Sequence, residues 1–191
     1  MKALIVIILL FCTTAISGQE LIKWYTWEEG MMKAEESPKK FIVDLYTKWC
    51  GWCKRMDKAT FQNPEIAKYI NENYIPIKFN AEQKLEIEFN GETHKFVKRG
   101  RGYHSLAAYL TGGKLSYPTV VFMDEEKSVI QAIPGFLDPP TLDPILRYFF
   151  EDLHKTTPWA TYIHQYNNGG IPKLDDKGNN HSRLVHSKKG N

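Results

Sequence analysis

Apolar residues fall in short blocks separated by polar, proline- and glycine-containing stretches, and the period within each block predicts an element. Phe41 to Tyr46 is almost wholly apolar, the pattern of a strand buried on both faces. Asp44 interrupts it, and a carboxylate there needs compensation, because burying an unpaired charge is costly. Tyr74 to Asn80 is a second strand, and Pro76 near its start predicts an edge or initial position. Thr119 to Asp124 is a third, opened by Tyr117-Pro118. Glu125-Glu126-Lys127 then turns the chain into Ser128 to Ile133, so the last two runs read as a hairpin.

Helical periods lie between these runs. Thr26 and Glu29 have the spacing of a capping box, which predicts a helix to about Glu36, stopped at Ser37-Pro38. Cys53 to Ala59 reads as helix, broken at Phe61-Gln62-Asn63-Pro64. Asn63 is then a cap and Pro64 opens the next helix, with Ile66, Ala67 and Ile70 at helical spacing. Residues Ala81 to Gly102 are polar: a strand fragment or short helix around Leu85 to Phe89 precedes a loop through Arg99-Gly100-Arg101-Gly102. Tyr103 to Leu110 reads as helix, stopped by Gly112-Gly113. Leu142, Ile145, Leu146 and Phe149 share one face of a helix from about Pro140 to Leu153. A short helix from Pro158 to Tyr166 ends at Asn167-Asn168-Gly169-Gly170. Strands joined through helices run parallel and the last two antiparallel, which predicts an α/β fold: a central mixed sheet flanked by helices.

Composition changes this picture little. A chain of 191 residues supports one substantial core, and 42% hydrophobic with 25% charged residues is ordinary for a globular protein. A net charge of +3 without a long basic run argues against nucleic acid as a partner. The N-terminus changes it more. Met1-Lys2, the apolar run Ala3 to Phe11 and the small residues near Ser17 and Gly18 have the pattern of a secretory signal peptide over residues 1–18. The run is short for a membrane span, which takes about 20 residues. A retained anchor is the alternative; lipidation at Cys12 is disfavoured by bulky Phe11 before it. Export to the periplasm is therefore expected, with secretion or membrane tethering as variants. The domain expected over 19–153 is followed by a helical extension over 154–170 and a polar, disordered tail over 171–191.

Loss of the leader leaves two cysteines, in Trp49-Cys50-Gly51-Trp52-Cys53-Lys54 at the strand-to-helix junction. One turn of helix brings two such sulfurs within bonding distance, and the helix N-terminus favours a thiolate on the first. A single pair in an exported chain reads as a working dithiol. A structural disulfide is the plainer alternative. Half of a zinc site is another, though four-ligand sites need two further ligands and no second cysteine pair or suitably spaced histidine supplies them. The six histidines, His94, His104, His154, His164, His181 and His186, are scattered and read as solvated or core residues. Lys98-Arg99-Gly100-Arg101 reads as a solvated loop or a contact for an acidic partner.

From Trp24 to Tyr148 the chain resembles the thioredoxin superfamily. The likeness rests on the Cys50/Cys53 motif, Asp44 six positions before it, Lys78-Phe79-Asn80, Tyr117-Pro118-Thr119 and Gly135. Gly-Trp between the cysteines and the Gly112-Gly113 approach to Tyr117-Pro118-Thr119 resemble the exported bacterial thioredoxin-like (thiol:disulfide interchange) proteins. The resemblance implies a thioredoxin-like fold with a short helical C-terminal extension. It implies Cys50 as exposed nucleophile, Cys53 as partly buried resolving cysteine, and the two as a redox-active disulfide. Asp44 then assists deprotonation of Cys53 and Lys78 modulates it. Pro118, in cis, faces the dithiol, and Trp49, Gly51, Trp52, Tyr117, Pro118 and Thr119 meet the substrate. The implied partners are protein thiols or disulfides and a membrane electron donor, with no cofactor and no metal. Gly-Trp replaces the Gly-Pro of cytoplasmic thioredoxins, residues 81–102 are long, and the stretch after Tyr148 is additional. A non-catalytic peptide-binding or chaperone module is the competing function.

Overall fold

The computed structural model describes residues 21–171. The expected leader, most of the expected tail, and His181 and His186 lie outside the described residues. Helix α1 spans Trp27–Glu36, and the Thr26 side chain and Glu29 cap it reciprocally. Strand β1 is Phe41–Tyr46. Helix α2, Gly51–Met56, runs on through a π-helical turn at Asp57–Phe61. The Asn63 side chain then accepts hydrogen bonds from the Glu65 and Ile66 N–H groups, and Pro64 opens α3, Pro64–Asn73.

Strand β2, Ile75–Asn80, follows. Residues 81–104 fold into two small hairpins, β3 (Ile87–Phe89) with β4 (Glu92–His94), and β5 (Phe96–Val97) with β6 (Tyr103–His104). Helix α4, Ser105–Leu110, leads to β7 (Thr119–Met123) and β8 (Val129–Pro134). The chain closes with α5 (Pro139–Phe150), a 3-10 turn at Leu153–Lys155 and α6 (Trp159–Asn167).

The main sheet has the order β2-β1-β7-β8. β1 pairs parallel with β2 and antiparallel with β7, and β7 pairs antiparallel with β8. The apolar run of β1 thus lies inside the sheet, while Pro76 sits on the edge strand. There the Pro76 carbonyl accepts a hydrogen bond from the Tyr25 N–H at 2.9 Å. Alternate β1 residues feed two cores. Ile42, with Val120 and Phe122, packs in the cluster that holds Met56, Phe61, Ile70, Leu142 and Leu146. Phe41, Val43 and Leu45 pack in the cluster that holds Trp27, Ala34, Leu106 and Leu110. The sheet therefore carries α2, α3 and α5 on one face and α1 and α4 on the other. Helix α6 extends the first layer through Tyr162 and Tyr166, whose hydroxyl donates to Asp143 Oδ2 at 2.5 Å.

Two readings are corrected. Tyr103 and His104 form a strand ahead of the helix that was expected to include them. His104 ends that strand and caps α4, its Nδ1 accepting from the Leu106 N–H at 3.2 Å. The stretch 81–102 is ordered as hairpins, where one fragment and a loop were expected. Gly102 shows why the second can close: its φ is +82°, and a Cβ there would lie 2.1 Å from the Phe96 ring.

Candidate active site

The end of β1 and the start of β7 lie side by side, because Leu45 pairs with Thr119 across the antiparallel ladder. The chain leaving β1 turns through Thr47–Trp49 and delivers Cys50 as the N-cap of α2. The chain entering β7 passes Tyr117–Pro118, whose peptide bond is cis. Trp49 and Tyr117 join the two turns edge-to-face, ring centroids 6.2 Å apart.

Cys50 and Cys53 form a disulfide with Cα atoms 5.3 Å apart. The Cys50 Sγ also accepts a hydrogen bond from the Cys53 N–H at 3.0 Å. An N-cap sulfur so placed faces the unpaired N–H groups of the first turn, an environment that favours its anionic form after reduction. Cys50, expected as the exposed member, is only 4% exposed, against 2% for Cys53. Its side chain turns back over the first helical turn to reach Cys53, so the bonded pair presents little sulfur surface.

The aromatic neighbours are the exposed part of the site. Trp49 is 53% and Trp52 56% exposed. The Trp49 indole N–H donates to Glu82 Oε1 at 2.8 Å, and the Arg101 guanidinium lies 4.7 Å from a Trp49 ring centroid. Trp52 packs near Phe136, with Arg55 over both rings. Gly51 is exposed, with nothing near the position of a Cβ. Thr119, expected at the substrate surface, is instead 1% exposed. Its hydroxyl donates to the Ser116 carbonyl at 2.8 Å, so it braces the turn that holds Pro118.

Between the sheet and the end of α2 lies a three-charge group. Asp44 shares the β1 face of Ile42, the side on which α2 packs. It is 1% exposed, and its Oδ2 lies 2.5 Å from Lys78 Nζ on the adjacent strand, where the two residues are register partners. Lys78 also pairs with Asp57. Asp57 ends α2 one turn after Cys53, a spacing that puts both on one helical face. The sequence reading did not single out Asp57; its position four residues after Cys53 was the available signal. The Lys78 ammonium is further enclosed by the rings of Trp24, Tyr46 and Phe61, at 4.9, 5.3 and 5.4 Å.

Burial pushes the Asp44 carboxyl up to about 6 against the opposing pull of Lys78, and Asp57 adds to the rise. For Lys78 burial works against the charge, but Asp44 and Asp57 outweigh it and its pKa is raised. The second Asp44 oxygen, Oδ1, is buried without a hydrogen-bond partner. The arrangement thus holds a carboxylate that takes up a proton near neutrality, on the face where the second cysteine's helix packs. Replacing Lys78 with Met removes the group that holds Asp44 down. The Asp44 transition is then expected to move upward by about one unit or more, read from the pH dependence of urea unfolding in wild type and Lys78→Met.

Among the described residues, no group of three or more His, Cys, Asp or Glu is placed to hold a metal ion. No described helix is long and apolar enough to cross a membrane.

Known proteins place this site in context. Residues 15–139 match the family model Thioredox_DsbH, described as "Protein of unknown function, DUF255". An uncharacterized Caenorhabditis elegans protein, B0495.5, is 29% identical over 91 residues, 47% of this chain and 12% of that protein. Mouse spermatogenesis-associated protein 20 is 31% identical over 68 residues, 35% of this chain and 9% of the relative. The thiol:disulfide interchange protein DsbD of Citrobacter koseri is 25% identical over 116 residues, 60% of this chain and 17% of the relative. The chain thus spans less than a fifth of the length of these three relatives. Among solved structures, a thioredoxin from Thermus thermophilus superposes with a TM-score of 0.51 at 15% identity, over 68% of this chain and 87% of that one. A putative disulphide-isomerase from Bacteroides thetaiotaomicron gives a TM-score of 0.50 at 24% identity, over 74% and 99%. These structures share its fold. With the family match over residues 15–139, they identify the chain as a thioredoxin-superfamily protein that belongs to the DUF255 family, with thiol:disulfide interchange proteins among its relatives.

Proposed function

We propose that this chain is a thiol–disulfide oxidoreductase that reduces protein disulfides in an extracytoplasmic compartment through Cys50 and Cys53. The observation that carries the reading is the Cys50–Cys53 bond across the first turn of α2, with the Cys50 sulfur held by the Cys53 N–H. The likeness to proteins named for thiol:disulfide interchange supports the chemistry, and the leader-like residues 1–18 support the compartment.

In the forward cycle the Cys50 thiolate attacks one sulfur of a substrate disulfide. A Cys50–substrate bond forms, the substrate S–S bond breaks, and the departing sulfur leaves as a thiolate that takes a proton from water. Ionised Asp44 accepts the Cys53 thiol proton, directly or through water. Cys53 then attacks the Cys50 sulfur, the mixed disulfide breaks, and the second substrate thiolate leaves and is protonated. The substrate has gained two electrons and two protons, and Cys50–Cys53 is again a disulfide. The exposed Trp49 and Trp52 and the turn before Pro118 serve as the substrate platform. A membrane protein with a dithiol returns two electrons to the pair.

The test is reduction of insulin with dithiothreitol as electron source, followed by turbidity. Wild type is expected to shorten the lag severalfold at micromolar concentration. An unaltered lag, with insulin-derived peptide still bound, would point to the peptide-binding module instead.

A further inference from the structure

The hairpin unit at 81–104 reaches the redox site through two side chains. Arg101 lies in the loop between β5 and β6 and places its guanidinium 4.7 Å from a ring centroid of Trp49, the residue before the nucleophile. Glu82, at the start of the same unit, accepts the Trp49 indole N–H. The unit is therefore fastened to the rim of the dithiol near both of its ends. Its acids, Glu82, Glu86, Glu88 and Glu92, lie in the first part of the unit, while the stretch 95–101 is cationic: Lys95, Lys98, Arg99 and Arg101 are all exposed with no acid between them. In the stretch that holds the cysteines, Lys48, Lys54, Arg55 and Lys58 are exposed as well. The one carboxylate in that stretch, Asp57, is paired with Lys78. These two stretches hold eight cations and one acid, while the whole chain has a net charge of only +3, so the remainder is net negative. The cations thus cluster in sequence around the motif and in the second hairpin, and Arg101 over Trp49 and Arg55 over Trp52 bring that charge to the rim, where Glu82 is the acid already engaged by the Trp49 N–H.

Resting on the exchange reading above, we infer that this rim selects substrates, and that its substrate is a protein disulfide flanked by Asp and Glu residues, with Arg101 as the specificity-determining contact. Three features suit that partner. Exposed Trp49 and Trp52 offer apolar surface to an extended segment beside the disulfide. The cations of the two stretches draw acidic segments in and repel basic ones. Stacking on Trp49 holds Arg101 in place, so its planar donors are preorganised for a carboxylate at low entropic cost. A general affinity for polyanions needs no disulfide and no contact at the cysteine rim, so nucleic acid and anionic membranes fit the fastening of this loop to Trp49 less well.

The experiment compares three oxidised substrates against full-length protein reduced at Cys50 and Cys53. Two are peptides of equal length with the same disulfide, flanked by Asp and Glu in one and by Lys in the other; the third is neutral hydroxyethyl disulfide. Rates are read by quenched mass spectrometry and expressed as the acidic-to-basic ratio within each variant, so a general loss of reactivity cancels. In wild type the ratio is expected to be about tenfold or more at low ionic strength and to fall to within about twofold at 0.5 M salt. Arg101→Gln is expected to reduce the ratio severalfold, and Arg101→Glu to reduce it further. Arg101→Lys, which keeps the charge without the planar donors, is expected to fall between wild type and Gln. Equal rates for the two peptides, with hydroxyethyl disulfide still reduced, overturn this inference alone. So does a ratio that Arg101→Glu leaves unchanged, or binding to anionic vesicles or single-stranded DNA that competes away the peptide preference. Failure to react with all three substrates overturns the exchange reading and this inference together.

Discussion

Cys50→Ser is expected to abolish disulfide reduction, lowering the rate by about three orders of magnitude or more, to the uncatalysed background. The serine hydroxyl remains protonated at neutral pH and cannot form the first mixed disulfide. Cys53→Ser has a different expected outcome. Cys50 still attacks, but no second thiol resolves the intermediate, so a covalent complex accumulates with one substrate per chain and disappears under reductant. Non-reducing electrophoresis and intact mass separate the two. The expected asymmetry rests on the helix start: Cys50 is the N-cap and its sulfur receives the Cys53 N–H, while Cys53 lies within the first turn. A stable mixed disulfide on Cys53 in the Cys50→Ser variant would reverse these assignments.

Asp44→Asn is expected to slow resolution and stabilise the protein. On the rate side, losing a general base costs about 10²-fold at neutral pH. The mixed disulfide should persist correspondingly longer in single-turnover trapping. The wild-type resolution rate should fall as pH drops below about 6, where Asp44 becomes protonated, and the variant should lack that inflection. On the stability side, burial raises the folded-state pKa of Asp44 from 3.8 to about 6. Between those values the folded chain holds a proton that the unfolded chain has released, so stability falls as pH rises through the window. Below about pH 4 the carboxyl is neutral in both states and the penalty is absent. Above about pH 6 the penalty is constant, up to about 3 kcal/mol. Asn carries no such charge, and Lys78 keeps Asp57 as a partner. Urea unfolding should therefore find wild type and Asp44→Asn alike at pH 4 and the variant more stable at pH 8. Equal stabilities at both pH values, with an unchanged resolution rate, would remove Asp44 from the mechanism.

Much of the scaffold was legible because its signals are local. Thr26 with Glu29, and Asn63 with Pro64, announce helix starts that the structure shows as caps. The apolar run Phe41 to Tyr46 marks the strand that lies inside the sheet. The hairpins of 81–104 were obscured because strands of two or three residues are too short to show a period. Asn90-Gly91, both with positive φ, was the turn signal present in the sequence. At the site, Asp44 was conspicuous as an acid in an apolar run. Asp57 was not, because a surface-like Asp after Lys54-Arg55 resembles any solvated helix residue. Its meaning comes from Lys78, which reaches it from another strand. Arg101 has the same character: only the folded chain brings it over Trp49. Thr119 illustrates the converse, a motif residue expected at the surface whose buried hydroxyl braces the turn before it.

The most direct test of the central claim is equilibration of the Cys50–Cys53 pair in defined thiol–disulfide buffers, read by alkylation and mass. A reductase is expected to titrate as one two-electron couple in the range of thioredoxin, about −270 mV. A potential well below about −300 mV, typical of structural disulfides, would contradict the claim that the pair is a working dithiol. A value near the roughly −120 mV of a strong oxidant would contradict its assigned direction.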